Sequence, residues 1–139
     1  MPRRTLVDAG PLVSFLRVAE EDHEWAVAQF KRFPRFVTCE AVIAEACARL
    51  TCLEGDPRKV VEMVEAGALV VDFDLNANAK RVHSLMEKYS DLPMDFADAC
   101  LVTMMEIHPD SQIVTIDRND FITYRRNGRV AIPAIFPLP

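Results

Sequence analysis

An α/β fold with a mostly parallel sheet of four or five strands is what this chain predicts, on three observations. Short apolar runs alternate with stretches of helical periodicity. The run Ala68-Leu69-Val70-Val71 is continuous in its apolar character, as strands buried on both faces are. Asp8 and Asp117 each stand as the first polar residue after such a run, where sites form in open parallel sheets.

Thr5-Leu6-Val7 reads as the first strand. Asp8 and a turn at Ala9-Gly10 follow, then a helix opening at Pro11 and carrying Leu12, Val13, Phe15 and Leu16. His23 to Phe33 repeats Trp25, Ala26, Phe30 and Phe33 at helical positions, and Pro34 stops it. Arg35 to Thr38 is the second strand, and Cys39 to Leu53 a long helix with Val42, Ile43, Ala46, Cys47 and Leu50 on its apolar face. Gly55-Asp56-Pro57 starts another helix that Gly67 closes. After the third strand at Ala68–Val71, Asn76 or Asn78 caps a helix bearing Val82, Leu85 and Met86. Pro93 suits the entrance of the next helix, whose apolar face runs from Phe96 to Met105 and which ends near Ile107. Gln112 to Ile116 is the fourth strand, Arg118-Asn119-Asp120 a loop, and Arg129 to Ile132 an edge strand before three prolines end regular structure.

The 139 residues are read as a single domain, 1–139. No apolar run approaches membrane-spanning length, and the N-terminus has no signal-peptide pattern, so the expected compartment is the cytoplasm. A net charge of −5 argues against a broad, non-specific phosphate-binding surface. Cys39, Cys47, Cys52 and Cys100 lack paired metal-ligand spacing and read as buried free thiols.

Asp95 is a natural N-cap, and Asp98 lies one turn further on the same side of the helix end, where the dipole favours negative charge. Asp8, Glu45, Asp98 and Asp117 thus form an acidic set, with Asp95 a fifth member. Glu40 competes with Glu45, but it falls in the first helical turn, where an acid is structurally favoured. Glu45 lies among Ile43, Ala44, Ala46 and Cys47, where a merely solvated acid is harder to explain. Asp120 is read as capping the turn at Phe121. Oxygen-only ligands suit Mg²⁺ or Mn²⁺, which can activate water against a phosphodiester. Arg118, Arg125, Arg126 and Arg129 make the next segment basic, either a place to hold a phosphate backbone with Tyr124 stacking on a base, or an ordinary solvated loop with Tyr124 in the core. Lys31, Arg32 and Arg35 form a second basic cluster, read as a solvated helix end.

Four pieces in order, Leu6-Val7-Asp8-Ala9-Gly10-Pro11-Leu12, Ala44-Glu45-Ala46, Phe96-Ala97-Asp98-Ala99 and Thr115-Ile116-Asp117-Arg118-Asn119-Asp120-Phe121, resemble PIN-domain ribonucleases, in particular the VapC-type toxins of toxin–antitoxin pairs. The resemblance implies a PIN-like α/β/α sandwich and a Mg²⁺- or Mn²⁺-dependent endoribonuclease that is inhibited by a small antitoxin and often dimeric. By position it assigns Asp8, Glu45, Asp98 and Asp117 to the family's acidic quartet. Thr115 then matches a hydroxyl residue that orients a ligand or water. Asp95 stands where the family often has a serine or threonine cap, so capping is its first role and a metal-shell role its second. The rival reading is a catalytically silent PIN-like scaffold acting through protein contacts.

Overall fold

The computed structural model describes residues 2–92 and 94–139. The helix-entrance role read for Pro93 lies outside them. Five parallel strands form the central sheet: β1 (Arg4–Val7), β2 (Phe36–Thr38), β3 (Leu69–Val71), β4 (Ser111–Val114) and, late in the chain, β7 (Ala134–Ile135). Their spatial order is β3-β2-β1-β4-β7. Leu6 aligns with Val37 on one side and Ile113 on the other, and Val37 in turn with Val70.

Helices connect these strands because parallel neighbours need a long crossover. The pair α1 (Ala9–Leu16) and α2 (His23–Arg32) leads from β1 to β2; α3 (Glu40–Cys52) and α4 (Arg58–Glu65) lead on to β3. Then α5 (Leu75–Lys88) and α6 (Phe96–Ile107) carry the chain back past β2 and β1 to β4. With helices layered against the parallel sheet, the architecture is an α/β/α sandwich. The winding direction therefore reverses at β1, and the ends of β1 and β4 flank the crevice where such sheets hold their sites. Leu6, Val7, Ile113 and Val114 are buried in the sheet, with Leu12, Leu50, Leu85, Leu101 and Met105 packing from the helices. Phe30 stacks on Phe15 at 4.3 Å and tilts against Phe36 at 4.6 Å, joining α1, α2 and β2.

Several expected boundaries move, each for a local reason. Asp74, rather than Asn76 or Asn78, caps α5 by accepting from the Ala77 N–H at 3.3 Å. The segment Arg118–Thr123 is a short helix, α7, rather than a loop. Arg125–Arg126 (β5) and Val130–Ala131 (β6) form a separate antiparallel hairpin, so the expected Arg129–Ile132 strand does not edge the main sheet. Asn127 and Gly128 turn that hairpin with φ of 52° and 74°, the left-handed pair that a tight hairpin turn requires. The true edge, β7, lies beyond Pro133. On the β4 side Pro133 accepts from the Ile113 N–H at 3.0 Å and Ile135 from the Thr115 N–H at 3.1 Å, so at the proline only the carbonyl enters the ladder. A proline is tolerated there because an edge strand can do without one N–H.

All four cysteines are free; Cys39 and Cys100 are buried, Cys47 is half-buried and Cys52 is exposed, which corrects the expectation for the last two. Among the described residues, no helix is long and apolar enough to cross a membrane.

Candidate active site

Asp8 leaves β1 at the reversal of winding and is only 4% exposed. Its Oδ1 accepts from the Ala9 N–H at 2.8 Å, and its Oδ2 from the Thr115 hydroxyl at 3.0 Å. Thr115 Oγ1 also accepts from the Asp117 N–H at 3.0 Å. One buried hydroxyl thus ties the loop after β1 to the loop after β4. Gly10 makes that closeness possible: a Cβ there would stand 2.5 Å from Ile116 Cγ1.

Asp98 arrives from the opposite side, in the first turn of α6, and is also 4% exposed. Asp95 caps this helix, its Oδ1 accepting from the Asp98 N–H at 2.8 Å. The capping role is therefore present in the geometry. Replacing Asp95 by Ala should cost about 1 kcal/mol of stability in denaturant titration, whereas Asn should restore the cap. If Asp95→Asn also keeps wild-type cleavage, capping is the residue's whole contribution; a loss would place its charge in the chemistry.

Burial is the largest cause of the raised Asp98 pKa, about 8, followed by repulsion from Asp8 and Asp95. Asp8 is pushed to about 6, mainly by burial, against the lowering effect of its bonds to Ala9 and Thr115. Glu45, half-buried on α3, is raised by burial and by the charges of Asp95 and Asp117. Glu40 is exposed in the first turn of α3. Asp117 sits exposed at the start of α7 and adds its repulsion to Asp8, Glu45 and Asp98. Asp120 is raised by burial and by Asp117 and Asp95, so it faces the same field from α7.

The acids therefore share one electrostatic neighbourhood, although among the described residues no three His, Cys, Asp or Glu side chains are grouped closely enough to hold an ion. Their donor chemistry fits a hard divalent cation: oxygen ligands only, with buried carboxylates whose mutual repulsion a positive charge would relieve. Asp8 and Asp98 would form its inner wall, with Glu45 and Asp117 nearer solvent.

Tyr124 proves to be part of this wall. It is 1% exposed and donates its hydroxyl to Asp98 Oδ2 at 2.9 Å. Tyr89 and Phe121 pack edge-on against its ring at 5.1 and 5.3 Å, so the base-stacking reading is excluded and the core reading holds. In sequence, a tyrosine 26 residues after Asp98 carried no signal of this contact.

The arginines expected at the substrate are engaged elsewhere. Arg118 donates to the Pro137 carbonyl at 3.1 Å and lies over the Phe136 ring at 4.6 Å. Arg125 donates to the carbonyls of Ile122, Thr123 and Tyr124, and Arg126 to that of Pro109 at 2.6 Å. Another pairing that sequence reading missed holds the scaffold. Glu106, its side chain 8% exposed, takes both Arg81 Nε and Nη2, at 2.6 and 2.7 Å, and the Asn127 N–H at 2.6 Å. This joins α5, α6 and the hairpin.

Comparison with protein-family models matches the PIN domain over residues 5–127. A search of curated proteins finds no match. PIN domains are generally nucleases and usually use divalent metal ions. The match runs from β1 through the acids at β1, α3, α6 and α7 to the turn of the hairpin, and the chain belongs to the PIN-domain family.

Proposed function

We propose that this protein is a Mg²⁺- or Mn²⁺-dependent endoribonuclease, the toxin of a type II toxin–antitoxin pair. The observation that carries the nuclease reading is the burial of Asp8 and Asp98 at the reversal of winding, each raised in pKa by burial and by the neighbouring acids, inside a PIN-domain chain. Four motif segments in VapC-like order support the RNA substrate and the toxin role. The same likeness supports a small cognate antitoxin, a homodimer and a cytoplasmic setting.

In this reading Asp8, Glu45, Asp98 and Asp117 are the ligand set, and Asp95 orients Asp98 by fixing the start of α6. A divalent ion bound there supplies a polarised phosphate oxygen and a more acidic attacking water. Thr115 keeps Asp8 and the Asp117 backbone in register, and Tyr124 fixes the carboxylate plane of Asp98. Both hydrogen-bond donors leave the ionised carboxylates with unused lone pairs for a cation.

The test is cleavage of a broad RNA panel by protein freed of any co-purifying partner. Cleavage with Mn²⁺ or Mg²⁺, abolished by chelation and restored by the metal, is the expected result. Intact RNA with both metals would overturn the nuclease reading in favour of a silent scaffold. Induced expression followed by mapping of cleaved transcripts should arrest growth and reveal defined RNA ends; growth without arrest would defeat the toxin role alone.

A further inference from the structure

Four arginines converge around a cavity of about 490 Å³ at the starts of β1 and β2. Arg3 and Arg4 come from the β1 entrance, Arg32 from the end of α2 and Arg35 from the turn into β2. Val37 and Val70 give the cavity an apolar floor. Asp72 is the one carboxylate lining it, and it is paired with Arg4 at 2.7 Å. Arg3, Arg32 and Arg35 have no carboxylate partner among the described residues. Arg32 lies over the Phe33 ring at 4.9 Å, which orders its guanidinium plane. A second cavity of about 300 Å³ is lined by Arg3, Arg4, His108 and the carboxylate-bearing Asp110.

Such clustering is notable because the chain as a whole carries −5. Unpaired like charges held together repel, and guanidinium forks match phosphate oxygens bidentately. Guanidiniums spread around one cavity from separate elements suit a backbone with successive phosphates more than they suit a single inorganic anion. Arg4 opens β1 and Asp8 follows it, so groove and acids lie at opposite ends of a buried strand, about 13 Å apart along it at the usual rise. An RNA bound at both places must pass around the sheet, so only substrates longer than about four nucleotides can reach the groove from the acids.

Resting on the nuclease reading above, we infer that this arginine-rimmed groove is a docking track, remote from the acids, for the phosphate backbone of a single-stranded RNA substrate. The basic cluster at Arg32 and Arg35 is then a substrate-holding element rather than a solvated helix end. It acts on affinity for long substrates and leaves the chemistry to the carboxylates.

The test uses the full chain in chelator, so that nothing is cut, with a labelled 12-nucleotide single-stranded RNA followed by fluorescence anisotropy. Arg3→Ala, Arg32→Ala and Arg35→Ala combined should weaken binding at least tenfold. The slope of log affinity against log salt should fall by about 2, as three lost phosphate contacts on a single strand predict. With metal, the triple variant should raise KM for the long RNA while cutting a trinucleotide at the wild-type rate. Arg35→Glu alone changes one exposed side chain and should weaken binding by more than threefold. Wild-type affinity and salt slope in both variants would overturn the inference. So would displacement of the RNA by low-millimolar inorganic phosphate, which marks a single-anion site, or equal competition by poly-glutamate, which marks a site for acidic peptides. If the wild type binds RNA through these arginines but cuts none with either metal, the track stands and the nuclease reading falls.

Discussion

Asp98→Asn should fold as the wild type does and lose about 10²- to 10³-fold in RNA cleavage, the range for removing one group that stabilises reacting charge. The substitution is chosen because the amide oxygen still accepts the Tyr124 hydroxyl, so no buried donor is orphaned. Asp98→Ala is the contrasting variant: it strands that hydroxyl and should also cost about 1–3 kcal/mol of stability. Single-turnover cleavage separates the effect on chemistry from substrate binding, and denaturant titration reads the stability. An Asn variant that cuts at the wild-type rate would remove Asp98 from the site.

The metal-free protein should lose stability as pH rises from about 5 to 8, the reverse of what salt-bridged carboxylates produce. Asp8 is raised to about 6 and Asp98 to about 8. An unfolded aspartate releases its proton near pH 4. Between these values the native state holds protons that the unfolded chain has given up, so rising pH favours unfolding. The contribution is fully present below about pH 4 and is gone once the folded carboxyls ionise. For two acids titrating as a coupled pair, a loss on the order of 3 kcal/mol is expected. Glu106 works in the opposite sense: held down mainly by Arg81 and Asn127 against its own burial, its contribution disappears as pH falls through the lower carboxylate range. Maximum stability should therefore lie near about pH 5. Chemical denaturation in chelator at pH 5 and 8 checks the sign, and a flat or rising trend would contradict it. Asp98→Asn should remove the larger part of the slope. Adding Mn²⁺ at pH 7 should release protons and raise Tm, because ligation requires the ionised carboxylates and favours the folded state.

How far the sequence reached is clearest at particular residues. Asp8 was legible because a polar residue after an apolar run stops a buried strand in parallel-sheet folds. Asp95 was legible as a cap because that role is decided by its own next turn. The preference for Glu45 over Glu40 rested on its apolar neighbours, and the fold leaves Glu40 exposed and Glu45 in the acidic field. What escaped depended on contacts between distant segments. Tyr124 reaches Asp98 only because the chain at the end of α7 returns to α6, where β5 packs, and Glu106 meets Arg81 across two helices. The β7 edge was hidden by its flanking prolines, whose exclusion from strands holds for central positions and relaxes at an edge. Asn127-Gly128 did carry a local signal, a tight hairpin turn, that would have separated β6 from the main sheet. The carbonyl contacts of Arg118, Arg125 and Arg126 were not legible, because backbone carbonyls leave no mark in a residue pattern.

The Thr115–Asp8 bond joins residues 107 positions apart, and β4 slots directly beside β1. A growing chain on the ribosome exposes β1 first and gains this partner only after β4 has followed. Until β4 emerges, Asp8 has no Thr115 to hold it and Asp117 is not yet in place. The acidic site is thus completed only once β4 has joined β1, so synthesis past Asp117 must precede any chemistry these acids perform.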